Sequence, residues 1–403
     1  MFKNLSLKVV IFGFIFTFFS SFGQSFFLGI FNPSIRNELS ITHGQFGSVY
    51  ASATLLSSFI LIWVGKKIDD IDISKFAFFV ILLLAFSSFF FSKISSIPLL
   101  FIAILLMRFS GQGMMSHTAT TTISRYFTKS RGKALSTGWF GLSAAEFVLP
   151  VLMIYLLTIT VWQNIWIGIS LAVLIFLPLS SYFLVKNLNF NSREKGEDDN
   201  FNENDFKQWK RIEVIKDYRF YIVCANMLAM PSIATGTFVY QSFILSSKNW
   251  GPYTIAQSFM SYSILSVVAL IFSGYLIDKF TSRKILIYMN IPLFFAVLVL
   301  FYFDNPFSSF VFFGLIGITN GFCNVLGSST WAEIYGVKYI GSIKALTTAL
   351  MVFATAFGTA VFGILIDRGY SIEQISLVSG AYISISIISL FFIRKNLNPI
   401  KIT

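Results

Sequence analysis

"GKKIDDIDISK" at Gly65–Lys75 packs six charged residues into eleven, between two long apolar runs. "GYLIDKFTSRK" at Gly274–Lys284 repeats the pattern, with Gly first, Ile and Asp in the fourth and fifth places, and Lys last. The meaning of such polar punctuation depends on the solvent around the chain. Of 403 residues, 55% are hydrophobic and only 12% are charged. A soluble domain covers itself with roughly 25% charged residues. Lipid must therefore solvate much of this surface, and the 49 Phe residues fit that reading. The chain reads as an all-α integral membrane protein.

The net charge of +12 raises the question of nucleic acid. A nucleic-acid binder gathers its basic residues on one face of a soluble fold. Here they fall in short segments between apolar spans, so no nucleic-acid partner is expected. Cys224 and Cys323 sit inside apolar runs without metal-ligand or redox spacing and read as small buried hydrophobes. No metal site and no cofactor are expected. Lys3 and Lys8 precede an apolar run from about Val9 to Phe31. That run exceeds the ~7–15 residues of a signal-peptide core and no A-x-A site follows, so it reads as a retained first membrane helix.

About 20 apolar residues cross a bilayer as a helix. This criterion places spans near residues 9–31, 43–64, 76–94, 98–123, 134–158 and 162–185. A second set falls near 219–246, 253–277, 285–303, 307–331, 343–366 and 372–393, about twelve in all. Residues 1–186 and 218–403 then form two six-helix bundles. Between them, 187–217 contains "NSREKGEDDNFNENDFKQWKR", too charged to span or to build a core, and reads as a cytoplasmic linker.

Lys and Arg set the orientation. With the N-terminus inside, Lys66, Lys67, Lys75, Arg125, Arg131, Lys133, Lys279, Arg283, Lys284, Arg394 and the linker's basic residues are all inside. The outside keeps only Arg36, Lys93, Lys248 and Arg368. Both termini are expected in the cytoplasm, with the chain in the plasma membrane (a bacterial inner membrane). The two punctuation stretches then occupy equivalent places, each after the second helix of its half. A second echo joins "RGKALS" at Arg131–Ser136 to "SIKALT" at Ser342–Thr347, after each fourth helix. Two halves related in both sequence and position are parallel repeats.

With these motifs in place the chain resembles the major facilitator superfamily. That family's signature after the second helix reads roughly G-x-x-x-D-[RK]-x-G-[RK]-[RK]. Gly274, Asp278, Lys279, Arg283 and Lys284 follow it loosely, with Thr281 where the second Gly would stand. The first copy keeps Gly65 and Asp69, with Asp70 for the basic residue and Asp72 for the Gly. The stretches "SRYFTKSRGKALSTGWFGLSAAEFVLP" and "WAEIYGVKYIGSIKALTTALMVFATAFGTAVFGILID" are similar to the monocarboxylate and oxalate/formate branch. The G-x-x-x-G-P-x-x-G-G signature of drug antiporters is absent from the fifth helix. The resemblance implies two six-helix bundles, transport by alternating access, and a cavity lined by helices one, four, seven and ten.

Charge inside a span costs about 2.5–3.5 kcal/mol even on lenient scales, so each instance needs a reason. Arg108 and Glu146 lie near the middle of the fourth and fifth spans, about 25 and 20 Å from the cytoplasmic ends at 1.5 Å per residue. They either neutralise each other as a structural pair or act separately. In the second case Arg108 would fork onto a carboxylate and Glu146 would carry a coupling proton. At helical spacing Gln112, Met115, Ala119 and Thr122 share a face with Arg108. Further candidates for substrate contact are Gln24, Asn226, Tyr240, Gln241, Asn320 and Asn324, although amides within spans also glue helices together. His43 reads as interfacial and His117 as a packing residue. Asp69, Arg131, Asp278 and Arg283 are candidate gating residues on the cytoplasmic side.

The expected partners are a small organic anion, a coupling proton and the bilayer, with the protein functional as a monomer. An exporter of amphiphilic drugs or metabolites is the alternative, and a receptor on the same scaffold is a third reading. No P-loop, H-E-x-x-H or G-x-S-x-G motif is present to suggest an enzyme.

Overall fold

The computed structural model describes residues 2–127, 131–185, 207–336 and 338–400. Among the described residues there is no strand, and twelve helices are long and apolar enough to cross a membrane. They are α1 (Leu7–Leu39), α2 (His43–Ile68), α3 (Ile73–Phe91), α4 (Ile97–Tyr126), α5 (Lys133–Ile159) and α6 (Trp162–Leu184). They continue with α7 (Tyr218–Val239), α8 (Thr254–Ile277), α9 (Ser282–Tyr302), α10 (Pro306–Tyr335), α11 (Ser342–Asp367) and α12 (Ile372–Leu397). Two ends depart from the hydropathy reading. The first helix runs on to Leu39, with Pro33 inside it, and the seventh stops at Val239, ahead of a separate short helix at Gln241–Ser247. Apolar length sees neither feature: Asn32–Glu38 is too polar to count as span although the helix continues through it, and apolar residues on both sides of Val239 hide the break there.

The chain divides into two compact units, one comprising Met1–Glu197 with Phe238–Ser242 and the other Asp198–Thr237 with Phe243–Thr403. In each, helices approach through small residues, as expected where lipid supplies no hydrophobic drive between them. In the first unit α1 lies against α5, where Thr17 Oγ1 donates to the Gly138 carbonyl at 2.5 Å. A Cβ at Gly141 would run into the Phe14 carbonyl. In the second, α8 and α10 are zipped by Ser258 Oγ to Ser309 Oγ (2.8 Å) and Asn320 Nδ2 to Ser266 Oγ (2.9 Å).

The two punctuation stretches solve one problem, the start of the next helix, in different ways. In the first, Asp72 caps α3 from within, accepting from the backbone N–H groups of Ser74 (3.0 Å) and Lys75 (3.3 Å). This is why an acid stands there. In the second the cap comes from α10, where the Glu333 carboxylate accepts from Ser282 N (2.8 Å) and Arg283 N (3.2 Å). Thr281, in the place of the family's second Gly, has φ 74° and ψ 147°. That is a conformation glycine adopts without strain and a β-branched residue does not.

Candidate functional site

Five charged side chains are buried among the described residues: Arg108, Glu146, Asp217, Arg219 and Lys248. Burying a charge is costly unless it is paired. In the second unit each buried charge has its counter-charge. Arg219 Nε lies 2.7 Å from Asp217 Oδ2, which also accepts from the Tyr335 hydroxyl at 3.1 Å. Lys248 Nζ lies 2.6 Å from Asp304 Oδ1 and 2.8 Å from Glu373 Oε1. Burial alone would lower the Lys248 pKa; the bonds to Asp304 and Glu373 outweigh it and hold the ammonium above the usual lysine range.

The first unit is different. No ion pair joins Arg108 to Glu146, and neither residue has an acidic or basic partner among the described residues. One terminal nitrogen of Arg108 donates to the Gly23 carbonyl (3.1 Å) and the Ser25 hydroxyl (3.3 Å). The Tyr50 ring stands 5.4 Å from the guanidinium carbon, and its hydroxyl donates to Ser25 Oγ at 3.0 Å. All these partners are neutral. Arg108 Nε is buried and has no partner.

Two breaks in helix geometry build this arrangement. Within α1, Ser21–Gly23 tightens into a 3-10 turn and Gln24 is extended (φ −82°, ψ 154°) before the helix restarts at Ser25. The break turns the Gly23 carbonyl out to meet Arg108. It also presents a fresh helix N-terminus, whose unpaired N–H groups and dipole favour negative charge. Opposite it, Arg108–Met115 of α4 is wound as a π-helix, a local widening frequent at functional sites. The two breaks interlock: a Cβ on Gly23 would strike the Met107 carbonyl and lie 2.5 Å from the Gln112 amide nitrogen. Gly23 is thus required by close approach.

The α-helical spacing assumed from the sequence does not hold through Arg108–Met115, which is π-wound. Met115, Ala119 and Thr122 are fully buried, while Gln112 is half-buried. Gln24 is also half-buried, and neither amide has a hydrogen-bond partner among the described residues. These two and Arg108 are the candidates that the first unit brings to one place. Ser25 and Tyr50, which hold Arg108, were not among them.

The other candidates are occupied or apart. Tyr240 donates its hydroxyl to the His43 carbonyl (2.8 Å), and Gln241 Nε2 donates to Phe26 O (2.9 Å) and Phe238 O (3.0 Å), all within the first unit. Asn320 serves the α8–α10 zipper and Asn324 is exposed. Asn226 is fully buried. Its Nδ2 lies 3.5 Å from Ser386 Oγ, its carbonyl accepts from Asn290 Nδ2 (2.6 Å), and its Oδ1 has no partner. His117 Nε2 donates to the Gly65 carbonyl (3.0 Å) and Arg125 to Ile68 O (3.0 Å), so α4 ties down the first punctuation stretch. The side chains of Asp69, Arg131 and Asp278 lie outside the described residues. Arg283 is half-buried, with Nε and one terminal nitrogen lacking a partner.

Twelve membrane-crossing helices in two compact units, with an unneutralised cation beside a broken helix, define a multi-pass membrane protein with an intramembrane polar site. The family model for the Major Facilitator Superfamily matches residues 13–359, and the chain belongs to that superfamily. It is a transporter and not an enzyme. Among solved structures it is similar to a bacterial homologue of the human lysosomal transporter Spinster, with TM-score 0.72 and 11% identity over 98% of this chain and 97% of that one. It is also similar to the nucleoside transporter NupG, with TM-score 0.70 and 14% identity over 98% and 99%. At these identities the likeness concerns the fold alone. No curated protein matches the chain in sequence.

Proposed function

We propose that this chain is a secondary active transporter that moves a small organic anion, of the monocarboxylate kind, by alternating access. The observation that carries the reading is the buried guanidinium of Arg108, which has only neutral partners and an Nε with none. A carboxylate supplies the missing charge and a planar match for the fork. The helix restart at Ser25 adds a favourable dipole, and Gln24 and Gln112 supply amides to fix the rest of the solute. Glu146, buried without a counter-charge on α5, is the carrier of a coupling proton. Asp69, Arg131, Asp278 and Arg283 serve as gating residues. The protein acts as a monomer in the plasma membrane with both termini in the cytoplasm, an orientation supported by the Lys/Arg asymmetry.

Uptake into proteoliposomes decides between this reading and export of amphiphilic drugs. A panel of monocarboxylates, dicarboxylates, nucleosides and lipophilic cations is supplied with and without an inward proton gradient. Carboxylates are expected to accumulate, and the gradient to raise their uptake. Transport of the neutral or cationic solutes, with carboxylates ignored, contradicts the proposal.

A further inference from the structure

A cavity of about 300 Å³ lies inside the second unit, walled by α7, α11 and α12. Small-molecule sites begin at about this size. Leu228, Val361, Leu365, Ile375 and Val378 are among its lining, and no charged side chain lines it. The Tyr382 hydroxyl, on the same wall, is spent on the Ala225 carbonyl at 2.7 Å. Apart from the hydroxyls of Ser232 and Ser379, the cavity therefore offers an apolar wall.

Its position indicates what reaches it. The lining residues Phe353, Phe357 and Val378 are 54%, 56% and 52% exposed, and all stand on membrane spans, so the mouth opens on the exposed faces of α11 and α12. The cavity runs along α11 from Phe353 to Leu365, close to the end of that span at Asp367, and along α12 from Ile375, close to its start at Ile372. It therefore occupies one half of the membrane, the half of the α11–α12 turn. From Phe353 to Leu365 is ~18 Å at 1.5 Å per residue, against about 15 Å for one leaflet's share of a 30 Å hydrocarbon core. That is the depth of an acyl chain.

A cation stands at the polar end. Arg368 is exposed and caps α11. It follows Phe357 by eleven positions, so at 100° per residue it lies within about 20° of the Phe357–Val361–Leu365 stripe. Asp367, one position earlier, lies about 80° round the helix from Phe357, on the side away from Val361 and Leu365. An apolar slot one leaflet deep with an arginine above it matches a phospholipid in both its parts.

We propose that this cavity is a binding site for an anionic phospholipid, one acyl chain lying between α7, α11 and α12 and the headgroup phosphate meeting Arg368. The site lies wholly in the second unit and is independent of Arg108 and of the solute carried.

The test is native mass spectrometry of the full chain released from detergent. Phosphatidylglycerol, phosphatidylethanolamine and a free fatty acid are added at equal concentration. Phosphatidylglycerol adducts are expected to outlast the other two. Arg368→Gln is expected to lower phosphatidylglycerol occupancy about fivefold, the worth of one basic residue at a lipid surface, and to lower phosphatidylethanolamine, whose ammonium offsets its phosphate, by less. Val361→Phe, which fills the cavity, lowers both. Should Val361→Phe fail to fold, Arg368→Gln, at an exposed position, decides alone. Equal retention of the two phospholipids with no effect of Arg368→Gln overturns the proposal, as does full retention by a folded Val361→Phe. Preference for the fatty acid reassigns the cavity to a free carboxylate and overturns the phospholipid reading.

Discussion

Lys248 in the second unit and Arg108 in the first are both buried cations, but their surroundings differ in kind. The Lys248 side chain, 1% exposed, is clasped by Asp304 and Glu373, which stay 77% and 37% exposed. Charge is neutralised there, and three chain segments are tied together: the end of the short helix after α7, the α9–α10 turn and the start of α12. Arg108 is held in place by a carbonyl, a hydroxyl and an aromatic ring, and nothing neutralises it. A cation whose task is to hold the fold has its acids built in. Under the proposed function the acid for Arg108 arrives with the cargo, so neutral groups position the guanidinium and leave it a donor to spare.

The largest effect that sharpens this contrast is on transport. Arg108→Gln is expected to lower kcat/KM for the carboxylate by about 100-fold or more, the scale of truncating one side of a buried charge pair. Arg108→Lys should recover only a part, because an ammonium cannot reproduce the fork. Glu146→Gln comes next: accumulation driven by a pH gradient should fall at least about tenfold, while exchange of carboxylate across the membrane without a gradient persists. If gradient-driven accumulation survives in Glu146→Gln, the proton is carried elsewhere.

Lys248 should behave in the opposite way. Lys248→Met is expected to lower unfolding stability by about 1–2 kcal/mol, less than for a deeply buried pair because both acids can regain water. Substrate selectivity should not move. The pH dependence follows from the sign of the shift. With its folded pKa raised, Lys248 contributes its stability fully below the unfolded value of about 10.4 and loses it as the pH rises through the folded value. Thermal unfolding should therefore show an alkaline loss above about pH 10.4 that is weaker in Lys248→Met. A transport defect in Lys248→Met with unchanged stability would erase the contrast between the two cations.

The smallest effect is a control without charge. Thr281→Gly relieves the φ 74° strain and adds unfolded-chain freedom, for a net gain of about 1 kcal/mol in stability. Transport selectivity should again be unchanged.

Sequence reasoning reached some of these features and not others, for identifiable reasons. Twelve spans follow from apolar length, and the repeat follows from Gly65 and Asp69 matching Gly274 and Asp278. Arg108 and Glu146 stood out because charge is rare in a span. Whether they pair was not legible, since spacing along two helices does not fix their mutual rotation. The π winding of Arg108–Met115 was not legible either, since hydropathy carries no trace of a widened turn. The break at Ser21–Gly23 did leave a signal, the polar run "SSFGQS" at Ser20–Ser25 within an apolar helix. Tyr50 left none, because a tyrosine in an apolar helix reads as core. Lys248 was counted only as an outside charge, and its two acids lie 56 and 125 positions away, beyond the reach of local pattern.

The account rests on Arg108 being the ligand of a carboxylate, and binding tests that without the complication of turnover. Thermal-shift titration of the detergent-purified chain with the carboxylate panel, on wild type and Arg108→Gln side by side, is the direct measurement. The account predicts a saturable, carboxylate-dependent stabilisation of wild type that is absent from a folded Arg108→Gln. The same stabilisation in both proteins would contradict it.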